Sequence, residues 1–216
     1  MMRPRHKART NCYSWTELRS NHCCGDPCPP ASMYTNACIR SVCALACVVG
    51  VNLALSSQQI VTSSQTTGSQ PSYAADGNDQ TLFHSAYPGD VGSGSANDFT
   101  PFVGLQLAQL STINKIVILN RPGFENRLQN AEVRIGTDAI INNSSVGCNA
   151  LVWKQTATQG SVIEINLNPP VTGLWVSLQN FNPATTYMGS KGYPFVLNIF
   201  EIQVLGVPAD ASTLYC

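Results

Sequence analysis

The sequence predicts an all-β sandwich, and three observations carry that prediction. From Val51 onward, short runs rich in β-branched and aromatic residues recur at close spacing. Turn residues part several of them: Asn142-Asn143, Gly160-Ser161, Pro169-Pro170 and Asn182-Pro183. No long stretch repeats its apolar residues with a helical period.

In chain order, residues 1–50 form a Cys-rich extension with no strand or helix period. They hold Cys12, Cys23, Cys24, Cys28, Cys38, Cys43 and Cys47, and the remaining two of the nine cysteines are Cys148 and Cys216. An odd count cannot pair off completely within one chain. Disulfides in an oxidising compartment are the first reading. A zinc site from His22, Cys23, Cys24 and Cys28 is weaker, since no C-x-x-C knuckle accompanies it. A third reading puts the segment outside the mature folded protein. Val42 to Val49 is apolar and follows Arg40, with Ala44-Leu45-Ala46 as a small-x-small pattern and Met33 as an alternative start. It resembles a signal-peptide core, is too short to span a bilayer, and reads otherwise as a buried lead into the first strand.

The sandwich is expected over residues 51–206, with a tail at 207–216. Val51-Asn52-Leu53-Ala54-Leu55 opens it, Thr66 to Pro71 is a loop, and Pro88 to Asn97, with three glycines, is a longer one. The strand candidates are Phe102–Leu107, Lys115–Asn120, Ala131–Gly136, Leu151–Gln155, Val162–Leu167, Leu174–Gln179 and Ile199–Leu205. Period two places Ile163, Ile165 and Leu167 in the core, with Glu164 and Asn166 outside. It likewise turns Leu174, Val176 and Leu178 inward, with Ser177 and Gln179 outward.

Only 11% of the 216 residues are charged. That composition, rich in Ser, Thr, Asn and Gln, suits a secreted protein. Asn142-Asn143-Ser144-Ser145 offers two overlapping N-glycosylation acceptors. The net charge of zero divides into +4 over residues 1–50 and −4 over the rest. The sandwich therefore has no basic surface to follow a phosphate backbone, which argues against nucleic acid. Enzyme signatures are missing: no G-x-S-x-G, no H-E-x-x-H, no phosphate-binding glycine loop. Two of the three histidines lie in the first fifty residues. A binding module, not an enzyme, is expected.

Two arginines on one turn stand out in so uncharged a chain: Asn120-Arg121-Pro122-Gly123-Phe124-Glu125-Asn126-Arg127-Leu128. The run Ile113–Leu119 precedes them and Ala131–Gly136 follows, so the unit reads as hairpin-like, with the arginines at a sheet rim. A guanidinium is a fixed fork of donors, suited to vicinal hydroxyls, carboxylates or phosphates. Phe124 between them can stack on the apolar face of a sugar ring, or pack on lipid or protein.

This stretch resembles the F-type lectins (fucolectins), which share a fold with the discoidin domains, the C-type domains of coagulation factors. Their motif is Arg-x-Asp, four further residues, then Arg or Lys. Arg121 matches the first arginine and Arg127 the last, Gly123 stands at the aspartate position, and the spacing is one residue shorter. Leu128 to Gly136 and Phe200-Glu201-Ile202-Gln203-Val204-Leu205-Gly206 also match. The resemblance spans about Val51 to Gly206. It implies an eight-stranded jelly roll of the galactose-binding type that recognises fucose or a related sugar on glycans, through Arg121, Arg127 and Phe124. The lectins also use a loop histidine. His84 falls several residues before that position, so either it is structural or Asp90, Asn97 or Asp98 takes the polar role. The family cysteine matched by Cys148 finds Leu167 where its partner would be. Many discoidin-type domains join their ends by a disulfide, which here would link Cys47 to Cys216. The alternatives are a Cys216 that is free or bonded to another chain.

Tyr73-Ala74-Ala75-Asp76-Gly77-Asn78 is an oxygen-rich turn suited to Ca²⁺, and equally to a plain Asx-turn. The resemblance implies a structural calcium held by the carbonyls of Tyr73, Asn78 and Phe200, the carboxylates of Asp76 and Glu201, and an oxygen near Ser85. Glu201 amid Ile199, Phe200 and Ile202 wants a partner, which a cation supplies. The expectation is thus a secreted, calcium-containing carbohydrate-binding module with no transmembrane segment; a homo-oligomer is left open. The alternatives are a discoidin-type adhesion module binding protein or lipid through its loops, and an architectural module.

Overall fold

The computed structural model describes residues 50–86, 98–128, 130–157, 160–181 and 196–210. Eight strands lie among them: β1 (Val51–Asn52), β2 (Gln59–Thr62), β3 (Phe83–His84), β4 (Phe102–Asn120), β5 (Ala131–Gly136), β6 (Ala150–Lys154), β7 (Val162–Asn180) and β8 (Asn198–Pro208). All pair antiparallel in the order β1-β8-β4-β7-β5-β6, with β2 added on β4 and β3 on β8. A single turn of α-helix, α1 (Asn143–Val146), is the one regular α element of the described residues. The all-β class and the eight-stranded sandwich are as the sequence predicts.

Two long strands turn one hydrogen-bonded array into two layers. The start of β4 (Phe102–Gln106) pairs with β2 and the end of β7, while its later part (Ser111–Asn120) pairs with the start of β7 and with β8. The register slips between Gln106 and Ser111, where Ala108, Gln109 and Leu110 are exposed. At a second slip, between Ile113 and Lys115, β7 has the extra residues and exposes Asn168, Pro169 and Pro170. Proline brings no N–H to the ladder and is tolerated where a strand bends. The four separate strands expected over these stretches are therefore two strands, each rounding a corner. A solvated corner interrupts the apolar pattern without ending the pairing.

Between the layers lies one core. Val103, Leu105, Val133, Ile135, Val176 and Leu178 meet Ile116, Ile118, Ile163, Ile165, Ile202 and Val204. Burying each such side chain contributes roughly 1.5–3 kcal/mol before the entropy of ordering is subtracted. Leu167 packs in this core too. Ile163, Ile165 and Leu167 face inward, and Glu164 and Asn166 outward, as period two requires.

The same rule fails at the end of β7. Ser177 and Gln179, expected outside, are buried, and Leu174, expected inside, is half-buried. A second apolar cluster of Phe102, Ile140, Val146 and Trp175, flanked by Val61 and Leu174, lies there. The segment carrying α1 supplies Ile140 and Val146. It is locked by a capping box: Asn142 Oδ1 accepts the Ser145 N–H, and Ser145 Oγ accepts the Asn142 N–H, each at 3.0 Å. A strand covered on both faces shows no alternation.

The hairpin reading of the arginine loop is also corrected. β4 and β5 do not pair with each other; β5 pairs with β6 and β7. The loop instead passes from the layer of β8 to the layer of β5. β8 continues to Pro208, two residues past Gly206. The cysteine pairings expected among residues 1–49 and at Cys216, the zinc alternative and the signal-like run lie outside the described residues.

Candidate functional site

The arginine loop begins as β4 ends. Arg121-Pro122-Gly123-Phe124 closes as a β-turn, with the Phe124 N–H donating to the Arg121 carbonyl at 3.1 Å. Gly123 sits at φ +79°, which a type II turn demands at its third residue. A 3₁₀ turn over Glu125–Arg127 follows. Two buried asparagines hold the loop from beneath. Asn120 Oδ1 accepts the Arg121 N–H at 2.9 Å, and its Nδ2 donates to the Glu125 carbonyl at 3.3 Å. Asn180 Nδ2 donates to the carbonyls of Arg127 at 2.9 Å and Val196 at 3.3 Å.

This geometry gathers both arginines on Phe124. The guanidinium carbon of Arg121 lies 4.2 Å from the ring centroid and that of Arg127 4.3 Å. Each contact is a cation–π attraction of about 0.5–1 kcal/mol at an exposed site. Partial burial, and then the charge of Arg121, lower the Arg127 pKa. The cluster thus places two fork-shaped donors and a partly exposed aromatic side by side.

His84 joins them. Its Nδ1 lies 2.6 Å from the Ser85 carbonyl, which can only accept, so Nδ1 carries the proton. In the neutral ring Nε2 is then an acceptor, and Arg127 Nη1 approaches it at 3.5 Å. The backbone of His84 is tied to Ser69 Oγ and to the Thr66 N–H. His84 therefore combines a structural bond on one nitrogen with a contact to Arg127 on the other. Asp90 and Asn97 lie outside the described residues. Asp98 is buried and accepts from the hydroxyls of Ser63 and Ser64 and from the Thr100 N–H. Its carboxylate ties the chain before β4 to the end of β2.

The second constellation joins the two ends of the domain. Both Glu201 carboxylate oxygens accept the Gly77 N–H at 3.2 Å, and the Asp76 N–H also donates to Glu201. Leu119 pairs with Glu201 while Asn120 pairs with Ile199, so Phe200 is the extra residue of a bulge. Gly77 holds φ +77°, a conformation strained for other residues. Glu201 is only 1% exposed. Burial, and the negative charge of Asp76, push its pKa up to about 7 against the opposing pull of the Gly77 and Asp76 amides.

The expected calcium ligands divide. Glu201 and the Asp76–Asn78 loop are in contact, and among the described residues neither the Asp76 nor the Glu201 carboxylate forms an ion pair, so the pair has the oxygen-donor chemistry that a hard ion takes. The Asp76 carboxylate, however, closes an Asx-turn on the Asn78 N–H at 2.9 Å and accepts from Thr81 Oγ1. The Asn78 carbonyl accepts from Thr81 as well. Ser85 Oγ accepts the Leu197 N–H at 2.9 Å, and its carbonyl meets His84. Tyr73 lies in the 3₁₀ turn Pro71–Ala74, just before the loop. Among the described residues no three His, Cys, Asp or Glu side chains cluster as a metal site.

Sequence reading missed Asn120 and Asn180, which hold the loop, and Asn198, the cross-strand partner of His84. The available signal was an asparagine set directly among core residues, as in Val196-Leu197-Asn198-Ile199.

Comparison with known proteins sets this geometry in a family. The sequence model of the F5/8 type C domain matches residues 59–193. No curated protein sequence matches the chain. Among solved structures, the f-lectin (fucolectin) from striped bass (Morone saxatilis) serum aligns at 21% identity with a TM-score of 0.55, over 72% of this chain and 48% of that one. This chain thus spans about half the length of the fish lectin. A Streptococcus pneumoniae fucose binding module aligns at 20% identity and a TM-score of 0.50, over 71% and 96% of the two chains. The family 32 CBM of C. perfringens NanJ, in complex with galactose, aligns at 14% identity and a TM-score of 0.55, over 73% and 99%. At these identities the structural likeness bears on the fold. The sequence match covers more than half of the 216 residues, and the chain belongs to the F5/8 type C domain family.

Proposed function

We propose that the domain is a non-catalytic carbohydrate-binding module that takes fucose or a related sugar at the cluster of Arg121, Phe124, Arg127 and His84. The gathering of two guanidiniums on one half-exposed aromatic ring, beside a histidine, carries this reading. The forks donate to hydroxyls and the ring oxygen, and Phe124 offers a face for the apolar side of the sugar. That structural relatives include a fucolectin and a fucose binding module supports it. Calcium belongs to the same proposal, held by Glu201 and the Asp76–Asn78 loop. There it would offset two neighbouring negative charges and fix the loop against β8. Secretion is part of the reading through the acceptor asparagines Asn142 and Asn143 at the start of α1. Among the described residues no helix is long and apolar enough to cross a membrane.

A glycan array probed with the full chain, with and without calcium, tests the proposal. Binding should be competed by free monosaccharide. Arg121→Ala and Arg127→Ala should each cost roughly 1.5–3 kcal/mol of affinity, and Arg121→Lys nearly as much, because the fork is lost. A double mutant that folds and keeps the same glycan rejects the site. A second reading, adhesion to protein or lipid, is favoured by Phe99 and Ile141, both exposed at a cleft of about 600 Å³. It predicts array silence and loss of adhesion on Ile141→Asp.

A further inference from the structure

Asn198 is 2% exposed, and both atoms of its amide are enclosed without a hydrogen-bond partner among the described residues; no other described residue shows this for both ends of a side chain. Its neighbours Leu197 and Ile199 are fully buried in the core, so alternation turns Asn198 to the opposite face of β8. On that face its cross-strand partner is His84. On the other side of β8, Asn120 pairs with Ile199, so continuing the antiparallel register sets Asn198 beside Arg121. The amide thus stands between the histidine and the root of the arginine loop. Folded domains seldom leave such a group unpaired, since it loses water and gains nothing.

A carboxamide offers two donors and acceptor lone pairs, the complement of a sugar hydroxyl, which donates once and accepts twice. The arginines can only donate. The His84 Nε2 acceptor is taken by Arg127 at 3.5 Å, a contact at the limit of hydrogen bonding that a better partner replaces cheaply. We propose that Asn198 is a further ligand-contacting residue: a saccharide hydroxyl enters between His84 and Arg127 by replacing that contact, and the Asn198 amide completes its hydrogen bonds. This rests on the carbohydrate-binding reading of the site.

The test compares the full-length wild type with Asn198→Leu, a near-isosteric change, in melting temperature and in affinity for L-fucose and D-galactose. The variant should melt no lower than the wild type and bind about tenfold more weakly. Unchanged affinity overturns the assignment, as does a lower melting temperature with unchanged binding. A wild type that binds neither sugar overturns the whole site reading, a different outcome from a wild type that binds and a variant that binds equally. One readout needs no variant. The Asn198 side-chain NH₂ resonances of the wild type should shift on saturation with the bound sugar, and resonances that stay in place reject the contact.

Discussion

Glu132 and Glu201 are two buried strand carboxylates in one small domain, and the fold treats them oppositely. Glu132, on β5, meets Arg134 at 2.8 Å and Lys154 at 3.0 Å. Burial opposes its ionisation, yet these two cations hold its pKa below the ordinary value. Glu201, on β8, meets only peptide N–H groups among the described residues, lies near the further negative charge of Asp76, and has its pKa raised to about 7. Where a carboxylate merely braces two strands, the sequence supplies its counter-charges, Lys154 across the ladder and Arg134 two residues along the same strand. At Glu201 it supplies another acid. That difference is the physical support for a cation from solution at the second place and for none at the first.

The largest expected effect sharpens this contrast directly. Calcium at a hundredfold excess over its dissociation constant should stabilise the domain by about 2.7 kcal/mol, a shift of roughly 5–10 °C in melting temperature. Asp76→Ala and Glu201→Ala should each erase the gain. Thermal melts that coincide in calcium and in chelator would break the comparison at its root.

The next effect belongs to Glu132. Glu132→Gln keeps the shape and loses the charge, and should cost about 1.5–3 kcal/mol, toward the lower figure because Lys154 is largely exposed and rehydrates. The calcium gain should be untouched. Because the folded pKa of Glu132 is depressed, its stabilisation is present above the unfolded value near 4.5 and vanishes as pH falls through the folded value. The wild type should therefore lose stability on its acid limb more steeply than Glu132→Gln. A variant that loses its calcium response instead would show that the two sites are coupled.

These features were unequally visible in the sequence. Glu201 was conspicuous because an acid among Ile199, Phe200 and Ile202 has no ordinary place in a strand, and the arginine loop because charge is scarce and Pro122-Gly123 marks a turn. The core of β7 followed period two at Ile163, Ile165 and Leu167, where one face meets water. It departed from that period at Ser177 and Gln179, where Ile140 and Val146 arrive from a segment some thirty residues earlier. The corners of β4 and β7 read as strand ends because solvated residues break an apolar run whether or not pairing continues. Of the two partners of β5, β6 follows it in sequence, but the other could not be read locally, since it is the end of β7 and not the adjacent β4. Asn120, Asn180 and Asn198 were passed over for a related reason. Asparagine is commonest in turns, and only the assembled site shows which of them hold a loop and which one stands unpaired beside His84.

The smallest expected effect isolates the charge of Glu201 from its place in the chain. Glu201→Gln keeps an oxygen for the Gly77 N–H but cannot ionise. The folded pKa of Glu201, about 7, lies above the ordinary 4.5, so the fold favours the protonated acid. Its contribution is therefore fully present below about pH 4.5 and lost as pH rises through 7. In chelator, the wild type should lose stability between pH 5 and pH 8 with a slope that Glu201→Gln lacks. The two proteins should match at pH 5, and the variant should be the more stable at pH 8 by on the order of 1 kcal/mol. Calcium should reverse the order at pH 8, because it binds the carboxylate and not the amide. Urea melts at pH 5 and pH 8, each in chelator and in calcium, read all four conditions. Parallel pH slopes for both proteins in chelator would mean that Glu201 is as well compensated as Glu132, and the contrast between the two carboxylates would be lost.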